Sequence, residues 1–192
     1  APLEFCDHVG APLQEGLLLV HNTLVGLNLR DRIKVGCAGK VISAFDIARM
    51  LALGADWCNA ARGFMFALGC IQAQTCHTGN CPTGVTTQDP QRERALVVPT
   101  KAERVFQFHE QTLMALQELV QAAGLADPSG ITAAHIVRRS ADQGVKLLAS
   151  LLPFVKPGEL LRGEMTQQVF RTYWPMAQAT SFGVADPQAL TA

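Results

Sequence analysis

Charge is scarce in this sequence and evenly split, with sixteen Lys and Arg against sixteen Asp and Glu, 17% of the chain in all. That balance removes any electrostatic argument for nucleic acid or an anionic membrane as a partner. No apolar run is long enough to span a bilayer, and the first residues carry no basic stretch followed by an apolar one. Internal repeats and low-complexity tracts are also missing. There is no Cys-x-x-Cys pair, and no Ser-His-Asp or Cys-His pair can be placed as a nucleophile system, so no residue is assigned a catalytic role. Six cysteines in 192 residues are too few for a disulfide-stapled scaffold, and three of them crowd into twelve positions. That distribution favours ligation in a reducing, cytoplasmic setting over disulfides.

What is present is apolar. Hydrophobic residues make up 48% of the chain, enough for one good-sized domain that buries much of itself against something else. The opening stretch, 1–10, reads as the exit of a loop. Pro12 then starts a helical pattern (Leu13, Leu17, Leu18, Val20, His21, Leu24, Val25) that Gly26 and Asn28 stop; apolar residues around so much of its circumference predict packing on more than one side. His21 within it is expected to be satisfied internally.

A strand is expected from Ile33 into the loop Gly36-Cys37-Ala38-Gly39-Lys40. Ser43 and Asp46 form a capping-box signature ahead of a helix ending at Gly54. A second strand covers 55–59 and runs into Ala60-Ala61-Arg62-Gly63. This order is a βαβ unit. Small-residue loops at the carboxyl ends of neighbouring parallel strands are where such folds bind phosphate, with Gly39 allowing close backbone approach and Lys40 and Arg62 adding charge. Cys37 and Cys58 fall on the two strands and read as small buried hydrophobes. Cys6 has no assigned role.

A short apolar segment, 64–69, delivers the chain to the crowded cysteines, Cys70, Cys76 and Cys81. Their segment is rich in glycine and small polar residues and has little apolar material to hold it together. A thiolate-bound metal or iron-sulfur centre would replace that packing. Spacing leaves the choice open: zinc would need His77 as fourth ligand, awkwardly adjacent to Cys76, whereas a three-iron cluster needs only three thiolates. The Cys81-Pro82 step is similar to the last-ligand step of bacterial ferredoxins. Beyond a charged run at 91–94, a long amphipathic helix is expected over 101–123, another around 132–139 and a helical or mixed segment over 142–152. From 163 onward the pattern is weak.

The runs 53–56, 65–70 and 76–88 resemble the carboxyl-terminal part of the FMN-binding synthase domain of the glutamate synthase family, especially its shorter stand-alone FMN proteins. Pro2-Leu3, His8-Val9-Gly10, 21–25 and 29–32 extend the resemblance to about 1–94. It implies a (β/α)8 TIM barrel of which this chain supplies the last two strands and helices, since a whole barrel needs about 250 residues. The implied division is 1–98 as barrel with a cluster loop at 70–88, 99–161 as a helical appendage, and 162–192 as a tail.

The resemblance implies a [3Fe-4S] cluster on Cys70, Cys76 and Cys81 beside FMN. Gly39-Lys40 stand where the family has Gly-Gly, and Ala61-Arg62 where it has Gly-Thr, so these four become the phosphate-binding candidates with altered chemistry. Gly79, Asn80, Gly84 and Thr86 become candidate donors to the cluster sulfurs. The implied activity of the parent is reductive amination of 2-oxoglutarate to glutamate, with electrons passing from a donor protein or reductase subunit through the cluster to FMN. An ammonia-supplying glutaminase and the missing part of the barrel, or a completing subunit, are the implied partners. An accessory cluster-carrying subunit and a zinc-stabilised interaction module remain as alternatives.

Overall fold

The computed structural model describes residue 5 and residues 9–140 and 144–183. Cys6, the Pro2-Leu3 and His8 positions of the resemblance, and Asp142 at the start of the expected mixed segment lie outside them. Helix α1 (Leu13–Gly26) buries Leu17, Leu18, Asn22 and Gly26. The turn after it passes through Asn28 at φ 55, as the stop signal at Gly26 and Asn28 requires. Two sides of α1 are packed, but Leu19 and Val20 remain exposed, so the expectation of a nearly surrounded helix holds only in part. Asn22 supplies the polar fixing: its Nδ2 donates to the Pro153 carbonyl at 2.8 Å and its Oδ1 accepts from the Val155 N–H at 3.1 Å. A buried amide with both ends satisfied pins a distant segment without cost from lost hydration.

Strand β1 (Gly36–Ala38), helix α2 (Ala44–Ala52) and strand β2 (Trp57–Asn59) form the expected βαβ unit, with the strands parallel and paired Gly36 to Trp57, Cys37 to Cys58 and Ala38 to Asn59. The capping box is formed: Asp46 N–H donates to Ser43 Oγ at 3.1 Å and Ser43 N–H donates to Asp46 Oδ2 at 3.0 Å. Those bonds satisfy two of the helix's orphan donors. Met50, Leu53 and Val41 are almost wholly buried around this unit, each contributing roughly 1.5–3 kcal/mol of burial.

Helix α3 (Ala61–Leu68) follows β2 directly and takes Ala61 and Arg62 into its first turn, earlier than the apolar pattern of 64–69 implied. After the cysteine segment come a helical turn, α4 (Pro90–Glu93), and the long α5 (Val98–Ala122). On α5, Val120, Leu116 and Leu119 reach the core, and Phe108 meets Phe64 edge-on with centroids 5.2 Å apart. Phe106, Leu113 and Met114 are exposed. The helix outruns the small unit it lies on, which leaves part of its apolar side uncovered.

The helix expected around 132–139 is absent. Residues here instead lead into β3 (Val137–Ser140), antiparallel to β4 (Gly144–Leu147), with a helical turn α6 (Leu148–Leu151) completing the mixed segment. Two local causes act against a helix. Ile131, Thr132, Ile136 and Val137 are β-branched, and the Thr132 N–H donates to His135 Nδ1 at 3.0 Å, a side-chain bond that competes with helical ones. The expected helical appendage thus contains an antiparallel strand pair. Val120, Ile131, Ala133, Ile136 and Leu148 join the same core as Met50 and Leu53. A second small core of Val155, Leu160 and Phe170 forms around α7 (Gln168–Tyr173), inside the stretch where the sequence pattern is weak.

Candidate metal centre and anion cleft

Helix α3 ends at Gly69, which is left-handed at φ 105, and the Cys70 N–H donates to the Met65 carbonyl at 3.0 Å. This αL cap sets Cys70 on the helix's carboxyl end. The chain then makes a run of tight reversals. Gln72 and Gln74 take left-handed φ values of 57 and 58, and a 3-10 turn spans Cys76–Thr78. Left-handed backbone costs a residue with a Cβ about 1–2 kcal/mol, so two in three positions mark a segment whose shape is imposed from outside its own preferences.

Polar bonds, not apolar contacts, hold the segment. Thr87 Oγ1 donates to the Gly79 carbonyl at 2.6 Å, Thr78 Oγ1 to the Thr75 carbonyl at 2.7 Å, and Arg92 Nη1 to the Asn80 carbonyl at 3.2 Å. The result brings all three cysteines to the wall of one small cavity, which also has Met65, Thr83, Val85 and Thr86 in its wall and leaves a volume of only about 10 Å3. Cys81 is buried, Cys70 half-buried and Cys76 exposed. His77, the fourth ligand a zinc site would need, is exposed and does not line the cavity. Among the described residues no three His, Cys, Asp or Glu side chains are gathered to hold a single metal ion.

The sulfurs are prepared for negative charge. The Gln72 N–H donates to Cys70 Sγ at 3.4 Å, and Cys81 Sγ lies 3.4 Å from Thr83 Oγ1. The Thr83 hydroxyl first, then the Thr86 N–H, bring the Cys81 thiol down to about 6, outweighing the opposite push of burial. Thr86 Oγ1 is buried with no well-formed hydrogen bond; it adds to the field at Cys81 by proximity alone. Of the donors expected from the sequence, Thr86 takes part, whereas the Gly79, Asn80 and Gly84 N–H groups donate to the Cys76 carbonyl, Thr78 Oγ1 and the Cys81 carbonyl. Thr83 was missed, although a hydroxyl two residues after a thiol is the spacing of a local side-chain turn.

At the carboxyl ends of β1 and β2, Gly39, Lys40 and Arg62 line an open cleft with the stretch 9–13, enclosing about 1100 Å3 that includes solvent. Ala61 lies beside it as the first residue of α3. That helix has no side-chain cap at Ala60, so its first-turn N–H groups are left for a ligand or water. The four candidates from the two loops therefore meet at one end of the sheet.

The other end carries a cluster the sequence reading did not find. Asp56 Oδ2 accepts from Arg30 Nη2 at 2.8 Å and from the Val35 N–H at 2.7 Å, and Lys34 Nζ approaches Oδ1 at 3.3 Å. Burial pushes the Asp56 carboxyl up, but these donors outweigh it and hold it below the usual carboxylate range. Arg30 Nε donates to His21 Nδ1 at 3.3 Å. Burial first, then the Arg30 charge, lower the His21 pKa against the opposing pull of Asp56. His21 is thus satisfied internally, as expected, and the turn at Arg30 is a strap across the start of both strands.

Residues 1–126 match the sequence pattern described as the conserved region in glutamate synthase. The chain belongs to the glutamate synthase family. Among its curated relatives, the glutamate synthase large subunit-like protein YerD of Bacillus subtilis is 39% identical over 149 residues, 78% of this chain and 28% of that protein. The archaeal glutamate synthase [NADPH] of Methanocaldococcus jannaschii is 34% identical over 65% of the chain and 24% of its own length. A ferredoxin-dependent glutamate synthase 2 of Synechocystis is 36% identical over 56% of the chain and 7% of its own length. The chain therefore spans no more than about 28% of these glutamate synthase relatives. Among the described residues no helix is long and apolar enough to cross a membrane.

Proposed function

We propose that this chain is the cluster-bearing, phosphate-binding end of a glutamate-synthase-type flavoprotein that makes glutamate in the cytoplasm. The observation that carries the reading is the common cavity of Cys70, Cys76 and Cys81, set one helix away from the cleft of Gly39, Lys40 and Arg62. The donor set fits a [3Fe-4S] cluster. Three thiols share the cavity, donors on the sulfurs of Cys70 and Cys81 favour bound thiolate there, and cluster thiolates attach to separate irons, so they need not converge on one point as zinc ligands must.

In this reading residues 1–98 are the last two strands and helices of a TIM barrel, 70–88 its cluster loop, 99–161 an appendage packed on the outside, and 162–192 a tail. Support comes from the parallel pair itself: parallel sheets are normally covered on both faces, yet Gly36, Ala38, Trp57 and Asn59 are exposed on one. The missing strands, whether from the same polypeptide or from a completing subunit, would cover that face. A donor protein or reductase subunit would supply electrons, and a glutaminase would supply ammonia.

The cluster, when bound, supplies one-electron delivery, and FMN supplies the hydride chemistry for reductive amination of 2-oxoglutarate. This chain's residues bind and bias. Gly39 and the first-turn N–H groups of α3 at Ala61 and Arg62 take the FMN phosphate, and Lys40 and Arg62 neutralise it. Thr83 and Thr86 hold negative charge on Cys81, and the Gln72 N–H does the same at Cys70. The test is metal and flavin content of the whole protein. About three irons per chain together with FMN are expected. One zinc and no colour would overturn the reading, and iron without flavin until a partner is added would replace it with an accessory cluster-carrying subunit.

A further inference from the structure

Cys37 and Cys58 have no part in the reading above. They are partners in the parallel register of β1 and β2, their sulfurs lie 3.5 Å apart, and neither lines the cavity of the other three thiols. Paired positions on neighbouring strands stand about 4.8 Å apart, inside the roughly 4.4–6.8 Å range that a disulfide spans. Closing the sulfurs to about 2.05 Å therefore asks for side-chain rotation and a small approach of the two Cβ atoms, which a disulfide holds about 3.5–4.5 Å apart.

We propose that Cys37 and Cys58 form a thiol–disulfide modification site, a cross-strand pair oxidised by peroxide. Cys58, the more exposed of the two, attacks the peroxide first. Its sulfur bonds to one peroxide oxygen, the O–O bond breaks, and the departing hydroxide takes the thiol proton to leave as water. Cys37 sulfur then attacks the Cys58 sulfenic acid; the S–S bond forms, the S–O bond breaks, and hydroxide leaves with the Cys37 proton as a second water. The two thiols lose two electrons and the peroxide gains them.

Burial and the neighbouring thiol push Cys58 up to about 12, so Cys58 is slow to oxidise at neutral pH and quickens as pH rises. The link, once formed, ties together the strands whose following loops, at Gly39-Lys40 and Ala61-Arg62, border the anion cleft. The inference stands whether or not that cleft holds FMN.

Trypsin separates the two thiols. Peptide 35–40 carries Cys37, peptide 50–62 carries Cys58, and Cys70, Cys76 and Cys81 all fall after Arg62. The whole protein is treated with hydrogen peroxide, alkylated, digested and analysed by mass spectrometry. A linked 35–40/50–62 peptide that separates on reduction is expected, with an initial rate rising about tenfold per pH unit between about pH 7 and 9. Recovery of both peptides as alkylated thiols, or of Cys58 joined to a peptide beyond Arg62, would overturn the proposal. In Cys37→Ala the sulfenic acid has no partner and should appear as a dimedone adduct on peptide 50–62. Its absence would overturn Cys58 as the sulfur that attacks the peroxide.

Discussion

The βαβ unit and the cysteine segment lie next to one another in the chain and are built on opposite terms. Between Gly36 and Asn59 the chain encloses Met50 at 1% exposure and Leu53 at 1%, and its helix carries a complete capping box. Between Cys70 and Gln88 only Cys81 and Gly84 are buried, two glutamines sit left-handed, and hydroxyl-to-carbonyl bonds do the holding. The first region is determined by burial and local propensity, the second by polar bonds and tight left-handed turns. Stability should therefore reside in one and chemistry in the other, and mutations can separate the two.

The largest effect should come from Met50→Ala. It empties a site at the centre of the core that α2, β1 and α5 share. A loss of about 2–5 kcal/mol follows from lost transfer energy plus the cavity left behind, measured as a drop in the denaturant midpoint. Cysteine reactivity in the cavity of Cys70, Cys76 and Cys81 should stay as in the wild type until global unfolding. A change there at low denaturant would show that the two regions are not separate.

Next in size is Asp56→Asn. The carboxylate binds Arg30, Lys34 and the Val35 N–H with 21% of its side chain exposed, so its loss should cost about 1–3 kcal/mol at neutral pH, as for hydrogen bonds to a charged group. Its folded pKa is depressed. The stability it contributes is therefore present above the unfolded value of about 3.9 and is lost as pH falls through the folded value. Wild type and variant should converge in acid, as followed by unfolding curves from pH 7 downward. The ion pair beside the cysteine segment, Asp89 with Arg92, is 45% and 39% exposed. Asp89→Asn should cost under about 1 kcal/mol.

The same contrast governs what could be read from the sequence. The βαβ order, the Ser43–Asp46 capping box and the stop at Gly26 and Asn28 were legible because each is a local rule with a local cause. That Cys70, Cys76 and Cys81 belong together was legible because thiols are rare and these three are crowded into twelve positions, and they line one cavity. Three things were not. The antiparallel pair of 137–140 with 144–147 was hidden by residues that serve helix and strand alike until Thr132 and His135 bond. The Asp56–Arg30 strap joins residues 26 positions apart, and no periodicity announces such a pair. The facing of Cys37 and Cys58 depends on a strand register that a sequence does not print, and their apolar surroundings read the same with or without it.

The smallest global effect, and the sharpest test of the contrast, belongs to Gly84→Ala. Gly84 is left-handed at φ 76, and a Cβ there would run into the backbone carbonyl of Arg92. Backbone cannot swing aside as a long side chain can, so the local cost is of the order of 1–3 kcal/mol. If the segment were part of the core's cooperative unit, that cost would appear in full in the denaturant midpoint. Because its bonds are mostly exposed and internal to the segment, the chain can instead release 81–92 locally and keep the βαβ unit intact. The expected result is a global midpoint within about 0.5 kcal/mol of wild type, while amide exchange at Thr83 and Thr86 and alkylation of Cys81 each rise at least about tenfold, the ratio for a local opening made about 1.4 kcal/mol easier. A global loss as large as that of Met50→Ala would place the cysteine segment inside the core after all.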